Sequence, residues 1–157
     1  MEFNGLPLHP LVVHAVVVFA PLSALAALAY AARPGWRWAL RWPLVALTLV
    51  AVGTAFLATL SGEALAEARG LDQLAAVQTH EERGELLRNV LIGFTVVSLL
   101  SAFRLGGPTA LASGRGARTK HGGAVDIAAG VLLAVAALAV LATAFLAGDT
   151  GARAVWA

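Results

Sequence analysis

Apolar residues in this chain are collected into four long blocks, and polar or charged stretches separate them. The blocks run approximately over Leu11 to Ala32, Trp42 to Leu60, Leu86 to Leu105 and Ala124 to Ala147. Each is close to the roughly 20 residues that an α-helix needs to cross a bilayer. The alternation of apolar and polar residues that is typical of membrane β-strands is absent. The pattern therefore predicts an all-α integral membrane protein, folded as a four-helix bundle.

A short string occurs twice, at the ends of the second and fourth blocks. TAFLA stands at 54–58 and again at 143–147, and after two further residues each copy is followed by a hydroxyl residue and a glycine. These pairs are Ser61-Gly62 and Thr150-Gly151. We interpret the bundle as two similar helical hairpins, a parallel repeat of the kind that is related by an axis along the membrane normal.

The cations indicate how the bundle is oriented. The first and third connections with their flanks hold seven Lys and Arg residues, whereas the other side holds four, together with eight of the nine acids. The positive-inside rule then predicts that both connections are cytoplasmic and both termini outside. We expect a multi-pass protein of a bacterial inner membrane.

Within this orientation the chain is a single domain, 1–157. Hairpin one covers about 9–62 and hairpin two about 86–151. Between them lies an acidic amphipathic segment, about 63–85, on the outer side. Gly70 is expected to break this segment, and the third helix is expected to begin before its apolar part, so that His80, Gly84 and Leu87 share one face.

Composition excludes several classes of chemistry. The hydrophobic fraction is 59%, the charged fraction is 13%, and there is no cysteine. The missing thiols exclude disulfides, cysteine-held iron–sulfur clusters and cysteine nucleophiles. Basic residues form no stripe interleaved with aromatics, so nucleic acid is not an expected partner. We identify no catalytic residues, because no nucleophile motif is present.

Three histidines are predicted to lie near the outer surface. His9 and His80 each precede an arginine by twenty-four residues, Arg33 and Arg104. At about 1.5 Å per residue, both stand roughly 36 Å above that arginine, and His14 lies deeper in the first span. Imidazoles at such a site can ligate haem iron, zinc or copper.

Our preferred axial pair for a haem b is His14 with His80, because His14 is deep enough to be shielded from water. His9 with His80 is the symmetric alternative. Gly84 would leave room for a flat ring, and Arg83 or Arg88 can neutralise propionates. The competing interpretation is structural: the histidines cap a helix, bond a neighbouring helix or face solvent.

The opening segment GLPLHPLVVHAVVVFAP resembles a large family of small bacterial membrane proteins classed as a domain of unknown function. Its signature is an HP-x-x-VH string at the start of the first of four helices, matched here by His9, Pro10, Val13 and His14. The resemblance extends over nearly the whole chain. Some members of that family look to be fused to Rieske-type iron–sulfur domains, and this part of the resemblance implies electron transfer.

These observations support a histidine-ligated haem b or metal-binding redox module that meets a redox partner at the outer face. There are two alternatives. One is a small transporter, with Asp126 as its main charge near a span, and the other is a non-catalytic scaffold subunit. The lipid bilayer is the expected environment, and four thin, alanine-rich helices are also suited to forming a homodimer.

Overall fold

The computed structural model describes residues 1–105 and 123–156 and consists of four long helices. They are α1 (Leu8–Ala32), α2 (Arg37–Arg69), α3 (Ala75–Arg104) and α4 (Ala124–Trp156), with a short 3₁₀ turn, Pro34–Trp36, between α1 and α2. Each helix packs on its neighbours in the chain, and α4 returns to α1. The predicted four-helix bundle is confirmed. The third connection, with its cations Arg115, Arg118 and Lys120 and with His121, lies outside the described residues.

The helices are antiparallel to their neighbours, so the bundle has two distinct ends. His9 on α1 contacts Ala58 on α2, and His80 on α3 contacts Ala147 on α4. We call this the histidine end. At the opposite end, Arg104 of α3 lies 3.9 Å from Asp126 of α4, measured from Nε to Oδ1.

Small residues form much of the core and allow the helices to approach closely. On α1 the buried positions include Ala20, Ala24 and Ala27, which recur at the three- and four-residue spacing of a helix face. By contrast, large apolar side chains such as Leu100, Phe103 and Phe145 are exposed. All four helices are long and apolar enough to cross a membrane. An outer surface this apolar is suited to lipid rather than to water.

The helices extend beyond the apolar blocks at the histidine end. Residues 63–69 continue α2, and the polar residues 75–85 form the first turns of α3. Between them the chain reverses at Gly70, which has φ +63° and caps α2 by donating its N–H to the carbonyls of Ala66 and Glu67. The break predicted at Gly70 is therefore present, and the acidic segment belongs to the two flanking helices.

A two-stranded hairpin precedes α1. Strands β1 (Glu2–Phe3) and β2 (Leu6–Pro7) pair antiparallel across Asn4-Gly5, and both turn residues have positive φ. Asn-Gly is the strongest short signal for such a turn, because both of its central residues need left-handed backbone angles. The hairpin places His9 in the first turn of α1.

Candidate functional site at the histidine end

His9 is held against the neighbouring helix by a hydrogen bond and a glycine. Its Nδ1 lies 2.9 Å from the carbonyl oxygen of Ala58 on α2. One turn further along α2, a Cβ atom at Gly62 would lie 3.0 Å from Nδ1 and Cε1 of the His9 ring. The ring therefore lies directly on the backbone of α2, and any side chain at position 62 would displace it.

His80 has the same arrangement on the other hairpin. Its Nδ1 lies 3.1 Å from the carbonyl oxygen of Ala147 and 3.4 Å from the hydroxyl of Thr150. A Cβ atom at Gly151 would lie 2.8 Å from the Cε1 atom of this ring. The imidazole thus replaces the missing side chain of Gly151 on the surface of α4.

The two contacts correspond position by position to the repeated string. Ala58 and Ala147 are the last residues of the two TAFLA copies, and each glycine follows four residues later. The carbonyl and the glycine therefore occupy the same helical register in α2 and α4. In both hairpins a histidine contacts the last residue of the string and the glycine that follows it. The repeat of entire hairpins stays a prediction.

The hydrogen bonds assign the tautomer of both rings. A backbone carbonyl only accepts, so Nδ1 must carry the proton that is donated to Ala58 or Ala147. In neutral imidazole the other nitrogen, Nε2, then has a free lone pair. An Nδ1–H to carbonyl bond is also the usual way in which proteins orient a histidine that binds metal through Nε2.

The two rings lie close together although they come from opposite corners of the bundle. The centroids of His9 and His80 are 6.1 Å apart, and the ring planes cross at 74°. Helices α1 and α3 contact little directly in the described part of the chain, because α2 and α4 lie between them. The histidine pair is therefore a point at which the two hairpins meet near the bundle axis.

A cavity of about 990 Å³ surrounds the pair and is lined by all four helices. This is near the upper end of the range for ligand sites, roughly 300–1,000 Å³. Its walls are mainly apolar and include Val13, Val17, Leu87, Leu141 and Phe145. Such a cavity suits a large and mainly apolar group.

His14 lines the same cavity but is not part of the ring pair. Its Nδ1 bonds the carbonyl oxygen of Pro10 on its own helix, and the side chain is exposed. It lies five residues after His9, about 140° around α1, and therefore on a different face of that helix. Its pairing with His80 stays a prediction. Gly84 also lines the cavity, and a Cβ there would meet only Thr59, at 4.0 Å.

The charged residues around the cavity differ from those that the sequence suggested. Arg88 donates to Glu85 and to the hydroxyl of Thr59, and its guanidinium lies over the ring of Phe56 on α2. Neither Arg88 nor Arg83 lines the cavity. Residues that do so, and that sequence reasoning missed, are Glu63, Arg69, Glu81 and Asp149.

The ligand set limits which metals the site suits. No group of three or more His, Asp or Glu residues that could hold an ion occurs in residues 1–105 and 123–156. A structural zinc site needs about four protein ligands. Two facing imidazoles suit instead a metal that brings most of its own ligands, such as haem iron.

Comparison with known proteins gives one clear relationship. Searches of the curated proteins and of the solved structures find no match to this chain. The family described as "Predicted membrane protein (DUF2231)" matches residues 5–157, which include all four helices and both histidine contacts. The chain belongs to this family of predicted membrane proteins.

Proposed function

We propose that this protein is a membrane-embedded haem b protein that transfers electrons, in which His9 and His80 would hold the haem iron. The observation that carries the proposal is the matched pair of imidazoles, each fixed through Nδ1 and each with no hydrogen bond at Nε2 to the part of the chain that the structure describes. One distance supports the proposal. With metal–imidazole bonds of about 2.0–2.1 Å and about 1.1 Å more to each ring centre, two imidazoles that shared one metal would have ring centres at most about 6.3 Å apart. The observed separation is 6.1 Å.

The remaining features also suit a haem. Four-helix bundles commonly build cofactor sites in their core from residues on facing helices. Gly62 and Gly151 let each ring pack closely against a neighbouring helix, and the walls of the cavity are mainly apolar, as a porphyrin requires. Arg69 at the cavity edge is suited to pairing with a propionate.

When bound, haem supplies one-electron redox chemistry. The residues of this chain orient the two imidazoles, set their tautomer and shield the site from water. By the positive-inside argument the histidine end faces outward, so we expect the redox partner to meet the protein there. We expect the protein to lie in a bacterial inner membrane. A homodimer is compatible with the thin bundle.

The test is an absorption spectrum of the protein purified from membranes after expression with ample haem. We expect a Soret band, its loss in His9→Ala and in His80→Ala, and its retention in His14→Ala, which is the matched control on the same cavity wall. Circular dichroism establishes that each variant remains helical. A wild-type protein without a Soret band would refute haem binding, and metal analysis would then detect copper or zinc.

The same three variants distinguish the two histidine pairs. If His14→Ala loses the band while His9→Ala keeps it, His14 and His80 would hold the iron and our assignment fails. The pair predicted from depth alone would then be correct.

A purely structural role is the second candidate, and one observation favours it. Each histidine already joins two helices through its Nδ1 bond, which by itself stabilises α1 against α2 and α3 against α4. In that case the substitutions lower the melting temperature but no spectrum or bound metal is found, as expected for a scaffold subunit. The transporter alternative has no comparable support, since Asp126 lies at the opposite end beside Arg104.

A further inference from the structure

Two hydroxyl groups in the opposite half of the bundle are buried and have no hydrogen-bond partner within residues 1–105 and 123–156. They are the phenol of Tyr30 on α1 and Oγ of Ser98 on α3, and both residues have no exposed surface. Buried polar groups in proteins are nearly always paired with protein atoms or with ordered water. Two such groups in one small core therefore point to a common partner.

Ser98 differs from four of the other five buried serine and threonine residues in the described part of the bundle. Ser101, which retains 3% exposed surface, also makes no side-chain hydrogen bond there. Ser23, Thr48 and Thr95 each donate to a carbonyl three or four residues earlier in their own helix. This is the usual way in which serine and threonine satisfy themselves within a helix. Ser98 makes no such bond among the described residues, so its hydroxyl is available to a group outside α3.

The two hydroxyls lie at nearly the same level along the bundle. Tyr30 follows His9 by twenty-one residues and Ser98 follows His80 by eighteen, and the two histidine rings are adjacent. The Cα of Tyr30 is therefore about 4.5 Å further from the histidine end. Because side chains tilt toward the start of their helix, the long tyrosine reaches back toward the level of Ser98.

Tyr30 is also held firmly in place. Arg37 donates from Nε to the Tyr30 carbonyl at 3.1 Å, and its guanidinium carbon lies 5.5 Å from the centre of the Tyr30 ring. Arg37 is itself buried, and the side chain of Tyr30 has no exposed surface. The phenol is therefore out of contact with bulk solvent.

We propose that Tyr30 and Ser98 bind one ordered water molecule between them, inside the bundle and remote from the histidine cavity. A buried water typically makes about three hydrogen bonds to groups that would otherwise be unsatisfied. Two hydroxyls, each able to donate and to accept, meet most of that requirement. This site is independent of haem binding.

Tyr30 is the only tyrosine of the chain, so its vibrational bands can be measured without interference from another residue. We expect the tyrosine Raman doublet of the purified protein to have the intensity ratio of a hydrogen-bonded phenol. The ratio of a free phenol would overturn the proposal.

A double-substitution cycle tests whether Ser98 takes part. We expect Tyr30→Phe and Ser98→Ala each to lower the melting temperature by about 2–4 °C. The double variant should melt no lower than the less stable single variant. Ser23→Ala, whose hydroxyl bonds within α1, is the control and should combine additively with Tyr30→Phe. Additive or neutral effects of the Tyr30 and Ser98 substitutions would overturn the shared site.

An experimental structure that shows ordered water distinguishes a water-bridged pair of hydroxyls from a direct bond between them. The proposal requires density within hydrogen-bond distance of both Tyr30 and Ser98. A direct bond between the two hydroxyls would overturn it, even if the substitution cycle is non-additive.

Discussion

Replacing Gly151 by alanine should destabilise the bundle even though alanine is the better helix former. The added Cβ would lie 2.8 Å from Cε1 of His80, whereas ordinary contact begins at 3.4 Å. The ring must therefore retreat by about 0.6 Å. The bond from Nδ1 to the Ala147 carbonyl is already 3.1 Å long, so we expect this movement to break it.

The magnitude follows from three opposing terms. Alanine gains about 1 kcal/mol over glycine in a helix, overpacking costs about 1–3 kcal/mol, and the lost hydrogen bond costs about 0.5–1.5 kcal/mol. The net effect is a loss near 2 kcal/mol, or about 4–8 °C in melting temperature for a chain of this size. Gly62→Ala should follow the same direction with a smaller loss, because its Cβ would lie 3.0 Å from the ring of His9.

The assay is thermal unfolding in detergent, followed by circular dichroism, together with the absorption spectrum of the haem-supplied protein. Gly130→Ala is the matched control on α4, since nothing lies within 4 Å of its added Cβ. It should raise the melting temperature by about 2–4 °C and leave the spectrum unchanged. If Gly151→Ala melts as high as Gly130→Ala, the close packing of His80 on α4 is refuted.

Two further predictions concern other parts of the bundle. Gly70→Ala should lower the free energy of unfolding by roughly 1–2 kcal/mol, because alanine is strained at φ +63°. The control, Gly53→Ala in the middle of α2, should not lower it. Equal melting temperatures for the two variants would contradict the role of Gly70 as the left-handed cap of α2. Arg37→Met should lower the free energy of unfolding by about 1–3 kcal/mol, because it removes the bond to the Tyr30 carbonyl; the same unfolding assay measures it. The control, Arg33→Met on the exposed surface, should change that free energy by no more than about 0.5 kcal/mol. An Arg37→Met protein as stable as Arg33→Met would show that the buried guanidinium contributes nothing.

The helix number and order could be predicted because the bilayer imposes a simple length requirement on apolar residues. The early start of the third helix was predicted and is confirmed, but the other helix ends could not be predicted, since apolarity marks the depth of hydrocarbon rather than the extent of the helix. Residues 63–69 and 75–85 are polar, yet they are rich in Ala and Glu, which favour helix, and they extend α2 and α3. The hairpin at Asn4-Gly5 carried a recognisable signal that hydropathy alone does not register.

The candidate site was predictable in its components but not in its pairing. Sequence alone marked His9, His80 and both glycines of the repeated string. Depth favoured His14 as the partner of His80, and in the structure the ring of His9 is adjacent to that of His80. Which of the two pairs binds a metal stays a prediction. That choice depends on the rotation of α1 about its own axis, which is set by packing against α2 and α4. The pairing of each histidine with a glycine on the next helix is likewise a tertiary contact, and the spacing of residues along one chain does not contain it.

The paired imidazoles belong to the first and third helices, and the whole of α2 lies between them in the sequence. They therefore become available at different times during biosynthesis. His80 emerges from the ribosome seventy-one residues after His9. At about 5–20 residues per second this interval is roughly 4–14 s. For that time the first hairpin can complete its own Nδ1 contact with Ala58, while Nε2 of His9 has no opposing ring. Any group that needs both imidazoles can therefore be captured only after the third helix has inserted, which makes its incorporation a late step in assembly.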